Sequence, residues 1–150
     1  MTPSRLIASG FGSGLVPSAP GTAGSLAALG LGVPLLLWSP AALPVAALLA
    51  VVLGIWAIGA SSAGDDPGWV VIDEFAGMWI AMTALPRPSL AGLAAAFLLF
   101  RLLDILKPGP IGWADRQHGP AAVMADDVIA GAIAAGILWA IGQRWPGLLG

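Results

Sequence analysis

Five apolar stretches, at 26–38, 45–60, 69–85, 90–106 and 123–142, take up most of this chain. A helix that crosses a bilayer needs about 20 mainly apolar residues, within a range of about 17–25. The last four stretches reach that range once flanking residues are added. The first is short and reads as a tilted or re-entrant segment. Only 9% of the residues are charged, against 58% hydrophobic, whereas a soluble domain carries roughly 25% charge. A greasy soluble helical protein is the alternative, but a chain of 150 residues has too much surface to hide that much apolar area. The expectation is one all-α domain over 1–150, a polytopic membrane bundle of four to five apolar helices. Glycines within the stretches, Gly54, Gly59, Gly77, Gly92, Gly131 and Gly136, read as close helix packing.

The connectors are of two kinds. Residues 39–44 (SPAALP) and 86–89 (PRPS) are short Pro-rich turns, while 1–25, 61–68 and 107–122 are longer and polar. Threading the chain back and forth puts the polar connectors on one side. Asp65, Asp66, Asp73, Glu74, Asp104, Asp115, Asp126 and Asp127 then all lie at that face, and they are all the acids present. Arg5, Arg101, Lys107 and Arg116 share it, against Arg87 and Arg144 opposite. The positive-inside rule makes the acidic face cytoplasmic. A net charge of −2 without clustered Lys or Arg excludes a nucleic-acid footprint. There is no cysteine, hence no disulfide framework or thiolate site. The N-terminus, with one Arg and no continuous apolar core, does not read as a signal peptide.

Three segments bear chemistry. In VVIDEFAGMW, Asp73 and Glu74 stand inside an apolar run, where ionised groups are costly; a favourable place near a helix N-terminus is the structural alternative. In FRLLDILKP, Arg101, Asp104 and Lys107 recur every three residues along one helix side. They fit either an internal ion pair with a snorkelling lysine or a metal-bound Asp with cations for phosphate. In MADDVIAG, Asp126 could serve as an N-cap, but Asp127 beside it argues against a plain cap.

Five converging carboxylates, Asp73, Glu74, Asp104, Asp126 and Asp127, would repel one another without a cation. Their hard oxygens select Mg²⁺, with Mn²⁺ and Ca²⁺ as alternatives. Arg101, Lys107 and Arg116 are placed to hold phosphate oxygens. The Gly-rich segment 10–26 opens into the first apolar stretch and lacks a Walker A ending; it reads as an anion-binding loop or as a connector capped by Thr22 or Ser25. His118, the only histidine, reads as an exposed loop residue or a proton donor. The competing function is a small cation transporter or channel with a carboxylate-lined path, but acids in transporters cluster near the midplane.

In this order, GFGSGLVPSAPGTAGSLAA, VVIDEFAGMWIAM, FRLLDILKPGPI with ADRQHG, and MADDVIAGAIAA resemble the phosphatidylglycerophosphatase A family over nearly the whole chain. The resemblance implies a Mg²⁺-dependent, multi-pass phosphatase of the bacterial inner membrane, active at its cytoplasmic face. Its substrate would be the membrane phospholipid phosphatidylglycerophosphate, and no protein partner is implied. Carried onto this chain, it makes Asp73, Glu74, Asp104, Asp126 and Asp127 metal-site candidates, with Asp73, Asp104, Asp127 and Arg101 as catalytic ones. Arg101, Lys107, Arg116 and the loop residues Gly21, Thr22 and Ser25 become phosphate-binding candidates. Residues 120–123 (PAAV) depart from the Gly- and Ile-richer form expected before the last acidic pair, which leaves the local backbone open.

Overall fold

Proline starts four of the helices. Its φ is preset for the first helical position, and its missing N–H is no loss there. Pro3 opens α1 (Pro3–Ala8), Pro20 opens α2 (Pro20–Trp38), and Pro110 and Pro120 open two helices near the end of the chain. The computed structural model describes residues 1–61 and 67–150, so Asp65 and Asp66 lie outside the described residues. The remaining helices are α3 (Ala42–Ala60), α4 (Ile72–Met82), α5 (Leu90–Leu106), α6 (Pro110–Asp115) and α7 (Pro120–Arg144). The described residues contain no strand. The expected all-α bundle is what the chain forms.

Two expectations about the spans change. The first apolar stretch does not stay short: α2 begins six residues earlier, at Pro20, and its 19 residues are long and apolar enough to cross a membrane, as are those of α3 and α7. The third stretch, expected to span, yields only the 11-residue α4. At 1.5 Å per residue that is about 16 Å, half the bilayer core of about 30 Å. Helix α4 is a central pillar instead. Phe75, Ala76, Met78, Ala81 and Met82 on it are fully buried, enclosed by α2, α3, α5 and α7.

The outer helices turn their large side chains outward. Val45, Leu48, Leu49, Val52, Leu53 and Trp56 of α3 are all exposed, as are Leu31, Leu37 and Trp38 of α2. An apolar surface this continuous is unstable in water and suits lipid. The protein is thus a helical membrane protein.

Glycine sets how close the pillar comes to its neighbours. A Cβ on Gly131 of α7 would overlap the backbone of Gly77 on α4, and one on Gly77 would meet the backbone of Asp127 at 2.6 Å. Gly54 lies against Met124 and Ile72, and Gly92 against the Leu149 carbonyl. The packing expectation holds for these four. Among the described residues, a Cβ on Gly59 would meet Pro120 at an ordinary 3.6 Å, and Gly136 faces open space.

The two ends of the bundle are distinct. At one, the α2–α3 and α4–α5 turns share a cavity lined by Leu36, Pro40, Leu43, Thr83 and Leu85. The hydroxyl of Ser89 donates to the Leu149 carbonyl there, at 2.7 Å. At the other, the Val71 N–H donates to the Ala8 carbonyl at 2.9 Å, and the Arg5 guanidinium lies 5.1 Å from the Trp69 ring centre. That second end carries the first turn of α4, the last turn of α5 and the start of α7.

Candidate active site

Helix α4 starts at Ile72, so Asp73 and Glu74 fall in its first turn, where its exposed N–H groups and dipole favour negative charge. The turn is nonetheless buried: Asp73 is 7% exposed and Glu74 9%. Helix α7 reaches the same place from the far side. It begins at Pro120 behind Gly119, whose φ of 96° suits glycine. The PAAV departure therefore forms an ordinary helix start. It also places Asp126 and Asp127 in the second turn, so Asp126 is no N-cap. The two side chains diverge: Asp127, 2% exposed, joins Asp73 and Glu74, while Asp126 accepts from Lys107 Nζ at 2.6 Å.

Oxygens of Asp73, Glu74 and Asp127 all lie within 4.8 Å of one another. They line a cavity of about 200 Å³ together with Asp104, Lys107, Asp126 and Gly21. Glu74 Oε2 and Asp127 Oδ2 are buried with no hydrogen-bond partner among the described residues. A buried anionic oxygen left unsatisfied is expensive, and a hard cation is the partner that suits three crowded carboxylates. The donor set fits such an ion.

Arg101 is fixed beside this cluster. Its Nη1 pairs with Asp104, three residues along α5, and lies 3.9 Å from Glu74 Oε1. Its Nε is buried without a partner among the described residues. The α2 N-terminus closes the other flank. Ala19 adopts a left-handed backbone with φ of 51°, and Pro20 starts the helix so that Gly21 meets the ion pair edge-on. A Cβ on Gly21 would stand 2.5 Å from Glu74 Oε1 and 3.3 Å from Arg101 Nη2. Only glycine lets the backbone approach so closely.

Four candidates do not join the cavity wall; one is Arg101, which stands behind Glu74 and Asp104. Ser25 is fully buried, and its hydroxyl donates to the Gly21 carbonyl at 2.8 Å, bracing the first turn of α2. Thr22 is half-buried beside Gly21, outside the lining, and Arg116 is exposed at the end of α6. Lys107 is committed to protein partners: besides Asp126 it donates to Asp115 at 2.7 Å. Burial works against its ammonium, but the two carboxylates outweigh that and hold its pKa above the usual lysine range. Lys107 stays charged throughout the physiological range. The bridge to Asp115 was not legible in the sequence. Eight residues separate the two, and the left-handed turn at Lys107, with φ of 47°, folds α6 back toward it.

Fold and cavity together define a membrane-embedded helical protein whose buried carboxylate centre has an arginine fixed beside it. The profile of the phosphatidylglycerophosphatase A family matches residues 6–142. The protein named phosphatidylglycerophosphatase A from Escherichia coli K12 is 46% identical over 151 residues, covering 96% of this chain and 86% of its own length. Its namesake from Haemophilus influenzae Rd is 41% identical, covering 97% and 91%. A Bacteroides thetaiotaomicron protein, provisionally named phosphatidylinositol-3-phosphatase, is 44% identical, covering 84% and 85%. No solved structure matches. The chain belongs to the phosphatidylglycerophosphatase A family.

Proposed function

We propose that this protein is a Mg²⁺-dependent phosphatidylglycerophosphatase, which hydrolyses the phosphomonoester of phosphatidylglycerophosphate to phosphatidylglycerol and inorganic phosphate. The observation that carries the reading is the crowding of Asp73, Glu74 and Asp127 within 4.8 Å beside Arg101, in a chain of this family. Asp73, Glu74 and Asp127 are the residues to hold Mg²⁺, with Asp104 and Asp126 on the same wall. Bound there, Mg²⁺ supplies charge neutralisation at the phosphate and lowers the pKa of water. Arg101, already oriented by Asp104, offers its remaining N–H groups to phosphate oxygens in a forked geometry. The first turn of α2 presents backbone N–H groups beside it, which favours an anion. A carboxylate of the cluster takes the proton of the attacking water. As the new P–O bond forms, the bond from phosphorus to the lipid oxygen breaks, and that oxygen receives the proton. Lys107 keeps Asp126 in place and, lining the same cavity, has a third ammonium donor for phosphate.

A cation path is the weaker reading. It would need polar groups continuing along the bundle axis, whereas Phe75, Met78, Phe100 and Leu138 are all fully buried in the core.

Phosphate release by the detergent-solubilised protein tests the proposal. Turnover should require added Mg²⁺ and vanish in excess EDTA, because carboxylates alone cannot offset the charge of the transferring phosphoryl group. Full turnover in EDTA would sink it. Arg101→Lys should keep the charge and lose activity by about 10²-fold, since an ammonium cannot reproduce the fork. The melting temperature should stay within a few degrees of the parent. Near-normal turnover would reduce Arg101 to an ion-pair partner of Asp104.

We further propose that the acidic end faces the cytoplasm of a bacterial inner membrane, supported by the excess of basic residues there. Cysteine at Ala121, exposed at the start of α7, should label only from the cytoplasmic side, and cysteine at Ala41, exposed in the α2–α3 turn, only from outside. Labelling of both from one side would refute the threading.

A further inference from the structure

A second cavity, of about 150 Å³, adjoins the carboxylate centre. It lies between α6 and the first turns of α7, and Asp115, Gln117, His118, Ala122 and Asp126 line it. Asp126 belongs to both cavities. Lys107 stands at the boundary, donating to Asp115 on one side and to Asp126 on the other. The two spaces share the wall formed by Asp126, which Lys107 bridges to Asp115.

The chemistry of the second compartment differs from that of the first. Its wall is rich in hydrogen-bond acceptors, with two carboxylates and the Gln117 side chain. One N–H of the Gln117 amide donates to the Trp113 carbonyl at 3.2 Å, which orients the amide and leaves its oxygen to accept and its second N–H to donate. His118 makes no hydrogen bond or ion pair with the described residues and can serve as donor or acceptor. Ala122 and Val123 add apolar surface. Acceptors interleaved with small apolar faces suit a chain of hydroxylated carbons, whose O–H groups donate and whose C–H faces pack. The two carboxylates would repel a phosphate inside this compartment, so the phosphodiester at the far end of the hydroxylated carbons stays outside it, toward the rim. The space holds several such carbons, since a water molecule takes about 30 Å³ in the liquid. Close by in the chain, Ile105, Leu106 and Trp113 are exposed, an apolar rim suited to a lipid whose head group enters here.

We propose that this compartment is a polyol subsite, which recognises the hydroxylated carbons joined to the phosphomonoester while the phosphate sits at the carboxylate centre. The inference rests on the phosphatase reading for what occupies the first compartment. It makes Gln117 and the small side chain of Ala122 specificity-determining.

Thermal stabilisation of the solubilised protein in Mg²⁺ tests it, with sn-glycerol 3-phosphate and inorganic phosphate as the two probes. The wild type should respond to glycerol 3-phosphate at about tenfold lower concentration than to phosphate. Ala122→Leu fills the compartment without removing a polar group, and Gln117→Ala removes an acceptor. Each should abolish the preference and leave the response to phosphate unchanged, and each should raise the KM for phosphatidylglycerophosphate about tenfold with kcat within twofold. Equal response of the wild type to both probes would overturn the subsite. So would a preference that survives in both variants, or a kcat loss without a KM change. The two readings fail separately: a preference without lipid turnover would sink the phosphatase, and turnover without a preference would sink the subsite.

Discussion

Asp127→Asn should cut phosphate release by about 10²-fold or more, the scale on which a metal ligand or general base matters, while the metal-free protein melts no lower than the parent. The two signs have one cause. Asp127 is 2% exposed, shares a 4.8 Å cluster with Asp73 and Glu74, and has one oxygen with no hydrogen-bond partner among the described residues. Without a cation, its charge is buried among like charges, and an amide of the same size relieves that repulsion. With Mg²⁺, the same substitution removes a ligand. Added Mg²⁺ should therefore stabilise the parent, as any ligand of the folded state does, and should stabilise Asp127→Asn much less. Asp73→Asn and Asp104→Asn should lower activity on a similar scale. Asp65→Asn and Asp66→Asn should change little, because that segment matches no family motif. An effect at Asp66 equal to that at Asp127 would show that the motif assignment carries no information. A melting temperature that falls sharply in Asp127→Asn would show that the carboxylate serves the fold instead.

Gly131→Ala should be among the most damaging single-methyl changes in the bundle. Its new Cβ would overlap the backbone of Gly77, not a side chain that could rotate away. To accommodate it, α7 and α4 must separate. Overpacking of this kind costs roughly 1–3 kcal/mol and occasionally more. The glycine contact also lies one helical turn from the carboxylates: Gly131 follows Asp127 by four residues, and Gly77 follows Asp73 by four. Separating the helices widens the Asp73–Asp127 spacing, so activity should fall even at temperatures where the variant stays folded. Gly136→Ala is the matched control. Gly136 is on the same helix and faces open space, so alanine there should be neutral or slightly stabilising. Melting curves of the two variants beside the parent decide the matter. A Gly131→Ala protein that melts like Gly136→Ala would mean that the helices do not cross at this point.

The amino-acid sequence by itself determined the solvent, the element type and the chemistry. With so few charges and five apolar runs, only helices that satisfy their own backbone can bury the chain in lipid. Five candidate carboxylates carried by three segments could meet only at one end of such a bundle, and with no cysteine and one histidine the site could present only hard oxygens. Four ordered motifs were enough to suggest the family. Tertiary structure decided the rest. Apolar length overstated the third stretch, because hydropathy does not distinguish a helix facing lipid from one enclosed by other helices; α4 is half a span long and buried along most of its surface. Spacing along α5 aligned Arg101, Asp104 and Lys107, yet only the packed bundle separates their partners. Arg101 turns to Glu74 and Asp104, while the left-handed turn at Lys107 sends its ammonium to Asp115 and Asp126. Gly21, Thr22 and Ser25 were all phosphate-binding candidates on one segment. Contact singled out Gly21, because whether a missing Cβ matters depends on what stands opposite it, and that is a property of the assembled helices alone.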